Sequence, residues 1–311
     1  MTESVLQLLR DRKRQGSTPG NRADDARLVL LIEGGSSRGA YSSGMTVAIE
    51  QLGLLPAFDA VYGSSAGSLN GAWLLCGRAD SSKHAWWDPA VMRTTINPMR
   101  ALRRLPVVDT QHLVHTIYTQ VVPMGFQDIL DNPVEFHPMT TDALTGESTD
   151  LHERIHDVPS LQAALRASTA MPLLAGPPVV IDGRPYVDAG MSEMVPVRTA
   201  LAQKATHLVV LRTVRSDEVP MPPTRSERLV LRRWFARHAP GVVETFLRRK
   251  DDRLVEEAVL ASHPACLQIR PPLGSLRVGR TERRPAVLRA VVDIGTRAAA
   301  DALAASVLES H

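Results

Sequence analysis

The sequence predicts an α/β protein, with helices layered around a largely parallel β-sheet, and three observations carry that prediction. The apolar runs "LVLLI" (28–32) and "FDAVYG" (58–63) each lead straight into a glycine-bearing turn. A helical pattern follows both turns, and further strand-like runs recur along the chain. Strand and helix alternate, the arrangement expected of α/β layers.

Composition sets the frame. At 311 residues, 44% hydrophobic and 22% charged, the chain suits a soluble globular protein with a sizeable core in one or two domains. A net charge of +3 is too small to argue for nucleic acid, while a pI near 9.1 is compatible with an anionic partner such as a lipid surface. Cys76 and Cys266 sit in apolar surroundings without a CxxC pair or a Cys/His cluster, which fits a reducing cytoplasm. Residues 1–26 mix a brief apolar patch with alternating charge, so they read as a flexible charged tail and not as a secretory signal. No segment reaches the roughly 20 apolar residues that a membrane-spanning helix needs.

In chain order, the helix after the first turn carries Met45, Ala48, Ile49 and Leu52 at core-facing spacing, with Gly53 closing it. Strands are expected at "VEFHPMTT" (134–141), "PPVVID" (177–182), "HLVVLRT" (207–213) and "CLQIR" (266–270). Proline and charge mark loops over 215–228 and 271–285, and 286–306 reads as a closing helix. Residues 27–311 are expected to form a single domain, with a basic helical segment at 228–260.

The second turn holds the most specific signal. Gly63, Ser64, Ser65, Ala66 and Gly67 fit GxSxG, in which a serine on a tight strand-to-helix turn is backbone-strained and only small neighbours let the chain pass. Ser65 is therefore the candidate nucleophile. The helix that follows would aim its N-terminus at negative charge building on a substrate oxygen, and Gly67 and Gly71 would let it approach the sheet.

The first turn, "GGSSRGAY" (34–41), also suits an anion. A P-loop would need lysine and then serine or threonine after the last glycine, and none is present. A dinucleotide site would need an acidic residue at the end of the next strand, whereas Asp59 starts it. An acyl-transfer site needs backbone N–H donors beside the nucleophile, which this loop supplies if the two strands are neighbours.

These residues resemble the patatin-like phospholipases. That family combines an oxyanion loop of the type GGGxRG, a GxSxG elbow one short strand later and a downstream DG[AG] aspartate. Here the counterparts are "EGGSSRGA", "GSSAG" and "YVDAGMSEMVPV" (186–197). The runs "FHPMTTDALTGES" (136–148) and "ALRASTAMPLLAG" also look like family segments, so the resemblance covers roughly residues 28 to 213. It implies a three-layer α/β/α fold with a Ser65–Asp188 dyad and an oxyanion loop formed by Gly34, Gly35, Ser36, Ser37, Arg38 and Gly39. The N–H groups around Gly35, Ser36 and Ser37 would be the donors. The implied activity is that of a lipid acyl hydrolase (phospholipase, lysophospholipase or carboxylesterase) working through an acyl-enzyme without cofactor or metal. Two positions depart from the pattern: Ser36 replaces the third loop glycine, and Ala189 stands where glycine usually follows the aspartate. If either needs positive φ, its Cβ costs about 1 to 2 kcal/mol. The reading from a different class is a catalytically silent lipid- or protein-binding module on the same fold.

Other features carry plainer expectations. Arg38 is expected to brace its loop by hydrogen bonds, and Asp182 to serve a turn between two strands rather than compete with Asp188. The basic stretch 228–253, with Leu229, Leu231, Trp234 and Phe235 among arginines, is expected to pack as an amphipathic helix. The other reading is an interfacial helix on anionic lipid, with Arg232, Arg233, Arg248 and Arg249 as its cations. Trp86 and Trp87 are expected to pack. His207, His238 and His263 follow Asp188 in the chain, but none is expected to act in catalysis. The partners expected are thus an acyl-ester lipid and, peripherally, an anionic membrane, with no nucleic acid. The expected location is cytoplasmic or peripheral to a membrane, and the sequence does not set the oligomeric state.

Overall fold

The computed structural model describes residues 2–103, 105–218 and 224–306. Its strands are β1 (Leu28–Ile32), β2 (Ala60–Ser64), β3 (Glu135–Asp142), β4 (Ser148–Asp150), β5 (Val179–Ile181), β6 (Arg184–Asp188), β7 (His207–Leu211) and β8 (Cys266–Ile269). They form one mixed sheet in the order β5-β6-β3-β2-β1-β7-β8, with β4 also on β3. β1, β2, β3, β7 and β8 run parallel, β4 and β6 pair antiparallel with β3, and β5 pairs antiparallel with β6. β3 extends past the point where β2 turns away after Ser64, and β4 takes over that edge from Met139 onward while β6 holds the other.

Alternation along the strands divides the core between the two faces. Leu28, Leu30 and Ile32 of β1 point into one cluster with the helices Gly39–Gln51, Ala66–Leu75 and Pro285–Leu303. Val29 and Leu31 point into another with Val197, Ala200 and Leu260 from the helices Val197–Ala202 and Val242–Ser262. The result is the three-layer α/β/α sandwich. The helices Gly39–Gln51 and Pro285–Leu303 meet backbone to backbone. A Cβ on Gly44 would lie 2.0 Å from the Val292 carbonyl oxygen, and one on Gly295 would lie 2.1 Å from that of Tyr41.

Several expectations change in detail. The N-terminal segment is no loose tail: Thr2–Arg14 is a helix that buries Val5, Leu9 and Arg12 along one face. Arg12 bonds Asp24 at 2.7 Å and Asp59 at 2.8 Å, so a charge that reads as solvated is a paired internal anchor. Among the missed strands, β6 carries Asp188. It forms a hairpin with β5 through Asp182 and Gly183, both at positive φ, the two-residue turn whose twist suits paired strands. Asp182 also meets Arg154 at 2.8 Å, in keeping with its expected turn role. The basic segment forms two helices, Arg225–His238 and Val242–Ser262; Phe235 is buried while Leu229 and Val230 are exposed. The loop expected over 215–228 falls partly, at 219–223, outside the described residues.

Candidate active site

β1 and β2 are parallel neighbours, so the loop after one and the turn after the other emerge side by side at their carboxyl ends. Beyond β1 the sheet continues in the other direction into β7, which makes this the point where strand order reverses and where open α/β sheets place their ligands. Ser65 follows β2 with φ +53° and ψ −124° and starts the helix Ala66–Leu75. The neighbouring glycines are required by close approach: a Cβ on Gly63 would meet Ser68 Cα at 2.5 Å, and one on Gly67 would meet the Ile32 carbonyl oxygen at 2.2 Å. The two elbow serines face different ways. Ser64 Oγ donates to the Glu193 carbonyl at 2.9 Å, whereas Ser65 Oγ donates to Asp188 Oδ2 at 2.7 Å.

Asp188 reaches Ser65 because Thr140 of β3 pairs with it, and β3 lies directly beside β2. Its other oxygen accepts the Gly190 N–H at 2.8 Å. Ser65 is 6% and Asp188 4% exposed. Burial raises the Asp188 carboxyl above its ordinary range; the bonds from Ser65 and Gly190 and the charges of Arg249 and Arg280 pull it partly back. Around the elbow, Ser168 Oγ accepts the Ser65 N–H at 3.1 Å and shares a 2.7 Å bond with Ser68 Oγ, which fixes the turn from the helix Val158–Ser168.

The loop after β1 differs from expectation in its donors. The Ser37 N–H goes to the Arg280 carbonyl at 3.2 Å, and the Gly34 N–H goes to the Met194 carbonyl at 3.3 Å. Gly35 and Ser36 are left as the N–H groups without a protein acceptor among the described residues. Ser36 stands at φ +53° and does bear the left-handed strain, but Ala189 does not: it lies in the short helical turn Ala189–Met191 at ordinary φ. Gly39 lets the loop pass Ala66, since a Cβ there would sit 2.7 Å from that of Ala66. Arg38 does not brace the loop as expected, because its Nε and Nη2 are buried with no hydrogen-bond partner. Burial lowers its pKa, against the opposing pull of Glu33.

What braces the loop is Glu33, which sequence reading passed over. The register sets Ile32 beside Leu211, so the residues after β1 and β7, Glu33 and Arg212, fall together. Glu33 Oε2 accepts from Arg212 Nε at 3.1 Å and from the Thr213 N–H at 2.7 Å, and Thr213 Oγ1 donates to the Gly34 carbonyl at 2.8 Å. Despite burial, these neighbours hold the Glu33 carboxyl below its ordinary range, with the Arg212 charge as the largest favourable influence. The available signal was an acid and a base closing two apolar strands, "LVLLIE" and "HLVVLR".

The histidines lie apart from the dyad in their bonding. His207 meets Thr206, His238 rests on Trp234, and His263 accepts the Ala265 N–H. Among the described residues, no group of three or more His, Cys, Asp or Glu side chains could hold a metal ion, and no helix is long and apolar enough to cross a membrane. Two open surface cavities, of about 420 Å³ beside His112 and His115 and about 530 Å³ beside Met92 and Pro285, are lined by neither Ser65 nor Asp188.

The patatin-like phospholipase profile matches residues 30–201, which takes in the β1 loop, the serine elbow and the aspartate. The chain belongs to the patatin-like phospholipase family. A protein of Escherichia coli K12, uncharacterized protein YjjU, is 27% identical over 197 residues, covering 61% of this chain and 53% of its own. The chain thus spans about half the length of that relative. Among solved structures, VipD from Legionella pneumophila aligns over 91% of this chain and 67% of its own, with 12% identity and a TM-score of 0.43. Arg249 and Arg280 lie outside the family match.

Proposed function

We propose that the protein is a lipid acyl hydrolase in which Ser65 is the nucleophile, Asp188 the general base, and the N–H groups of Gly35 and Ser36 the oxyanion donors. The observation that carries this reading is the 2.7 Å bond from Ser65 Oγ to Asp188 Oδ2 at a strained strand-to-helix turn. A serine hydroxyl attacks poorly until a base takes its proton, and Asp188 is the group in reach. Burial raises the carboxylate's affinity for that proton.

In the first half-reaction Asp188 accepts the Ser65 proton as Oγ bonds to the ester carbonyl carbon. Negative charge moves to the carbonyl oxygen, where the loop donors and the N-terminus of the helix Ala66–Leu75 favour it; loss of one such donor costs about 3 to 4 kcal/mol in barrier. Collapse breaks the bond to the alcohol, which leaves with the proton returned by Asp188, and Ser65 stays acylated. A water molecule then gives a proton to Asp188 and attacks the acyl carbon. The Ser65 oxygen departs with that proton and the fatty acid is released. The family match and the lipid substrates it implies support an acyl-ester lipid as substrate. A panel of monomeric acyl esters, assayed with the wild-type protein and with Ser65→Ala, tests the reading: hydrolysis by the first and none by the second is expected, and equal rates for both would refute it.

A further inference from the structure

A loop closed at its base carries an apolar stripe to the surface. Ile96 and Val108 pair as an antiparallel bridge, and the Asn97 N–H donates to the Val107 carbonyl at 2.8 Å. Between these two pairs runs the short 3₁₀ helix Pro98–Arg103, none of whose residues is buried. In such a helix side chains three apart eclipse one another. Met99 and Leu102 therefore share one face, 67% and 78% exposed, while Arg100 and Arg103 share the next. Leu105 continues the apolar spacing; it is exposed too, and its N–H is tied back to the Arg100 carbonyl at 3.1 Å.

The base of this loop is fastened to the segment that holds the dyad. The Val108 N–H donates to the Leu174 carbonyl at 2.8 Å, and Gly176 passes so close to Pro106 that an added Cβ would lie 3.0 Å from Pro106 Cγ. Leu174 comes four residues after Ala170, whose carbonyl accepts the Asp188 N–H at 3.0 Å, and six after Ser168, which holds the Ser65 N–H. Just before it, Leu173 stands at φ +67° with its side chain exposed, so a second apolar group is turned outward on a left-handed backbone beside the first.

Charge selects the occupant of this surface. Residues 89–108 hold four arginines and no acidic residue. Arg93 and Arg103 are exposed, while Arg100 is engaged by Asp109 at 2.7 Å at the base of the loop. A second copy of the chain, docked through the same face about a two-fold axis, would bring these cations against themselves. A bilayer instead offers anionic head groups to the arginines and acyl chains to the apolar stripe. We propose that Met99, Leu102 and Leu105, together with Leu173, insert into the surface of an anionic membrane and so bring Ser65 to its lipid. The choice of a lipid as occupant rests on the acyl hydrolase reading above.

The full chain carrying Ser65→Ala is floated with vesicles of equal parts dioleoyl phosphatidylglycerol and dioleoyl phosphatidylcholine, so that binding is read without turnover. Adding Leu102→Asp should lower the partition coefficient by about ten-fold or more, the scale of one leucine withdrawn from hydrocarbon, and Leu102→Phe should keep it. With Ser65 in place, Leu102→Asp should slow hydrolysis of the same vesicles but leave kcat/KM on a monomeric short-chain ester within a few-fold, which also reports an intact fold. Vesicle binding that Leu102→Asp leaves unchanged would overturn the docking surface while the hydrolase reading stands. Binding lost in Arg232→Gln with Arg233→Gln, and kept in Leu102→Asp, would place the contact on the basic helix and overturn it equally. A dimer that Leu102→Asp disperses, without vesicle binding, would make a second copy the occupant and overturn the lipid assignment. No hydrolysis of any ester, with vesicle binding still lost in a Leu102→Asp protein of unchanged Tm, would overturn the hydrolase reading and keep the docking surface.

Discussion

Ser36 and Ser65 hold the same left-handed backbone angle, φ +53°, at the carboxyl ends of the neighbouring parallel strands β1 and β2. Each bears a Cβ where the chain geometry suits glycine. At Ser65 the strain comes with the side chain that faces Asp188. At Ser36 the backbone N–H is what the proposed chemistry uses, and a glycine would supply it equally well. Ser36→Gly should therefore raise stability by about 1 kcal/mol and leave ester hydrolysis within a few-fold. Ala189→Gly should instead lose about 0.5 to 1 kcal/mol, because Ala189 sits in a helical turn with no strain to relieve. Urea unfolding of both variants checks the pair of signs; a gain at Ala189 with a loss at Ser36 would reverse the account of the two departures.

The close approach at Gly67 gives a second prediction. An alanine methyl there would press on the Ile32 carbonyl oxygen, backbone that cannot yield without moving the loop after β1. Gly67→Ala should cost about 3 kcal/mol or more. At Gly71 the nearest atom is a Val61 methyl carbon at 3.0 Å, which can shift, so Gly71→Ala should cost about 1 kcal/mol. Comparable Tm values for the two variants would contradict this ordering.

Most of the site was legible in the sequence because it depends on local turns. The spacing of Gly63, Ser65 and Gly67 reports a steric requirement, and so does the glycine–serine loop after an apolar strand. What was not legible depends on register between distant segments. Glu33 and Arg212 meet only because β1 and β7 pair in one frame, and Arg249 and Arg280 approach Asp188 from elements more than sixty residues downstream. Arg249 was grouped with Arg232, Arg233 and Arg248 as a surface cation, yet its charge acts on Asp188. The N-terminal helix was missed because the apolar side of Thr2–Arg14 consists of few residues and includes a buried arginine.

A third prediction concerns pH and stability. Glu256 is buried beside Glu193, and burial first, then the Glu193 charge, push its carboxyl up to about 8. The folded protein thus keeps a proton that the unfolded chain releases near the ordinary glutamate range of 4.5. This contribution is fully present below that range and is lost as pH rises through about 8. Unfolding free energy should therefore fall from about pH 4.5 to about pH 8 and gain no further fall from this group above that, and Glu256→Gln should flatten that fall. An unaltered pH dependence in the variant would count against the buried proton.

The Asp188 carboxyl gives a fourth. Ser65 needs Asp188 unprotonated, so kcat/KM on a neutral ester should rise with pH through the raised Asp188 value. The Arg249 cation lowers that value, so Arg249→Gln should move the acid limb to higher pH. An acid limb that stays in place, or moves down, would show that Arg249 does not act on the base.

The most direct measurement is intact-protein mass after exposure to a fluorophosphonate, taken together with ester hydrolysis, for wild type, Ser65→Ala, Asp188→Asn and alanine variants of His207, His238 and His263. Asp188→Asn keeps the shape and removes the base, and it should melt no lower than wild type because it also removes a buried charge. The account predicts one covalent adduct on Ser65 in wild type and none in Ser65→Ala. Activity should fall by orders of magnitude in Asp188→Asn and stay within a few-fold in each histidine variant. A folded histidine variant without activity, beside an active Asp188→Asn, would contradict the dyad.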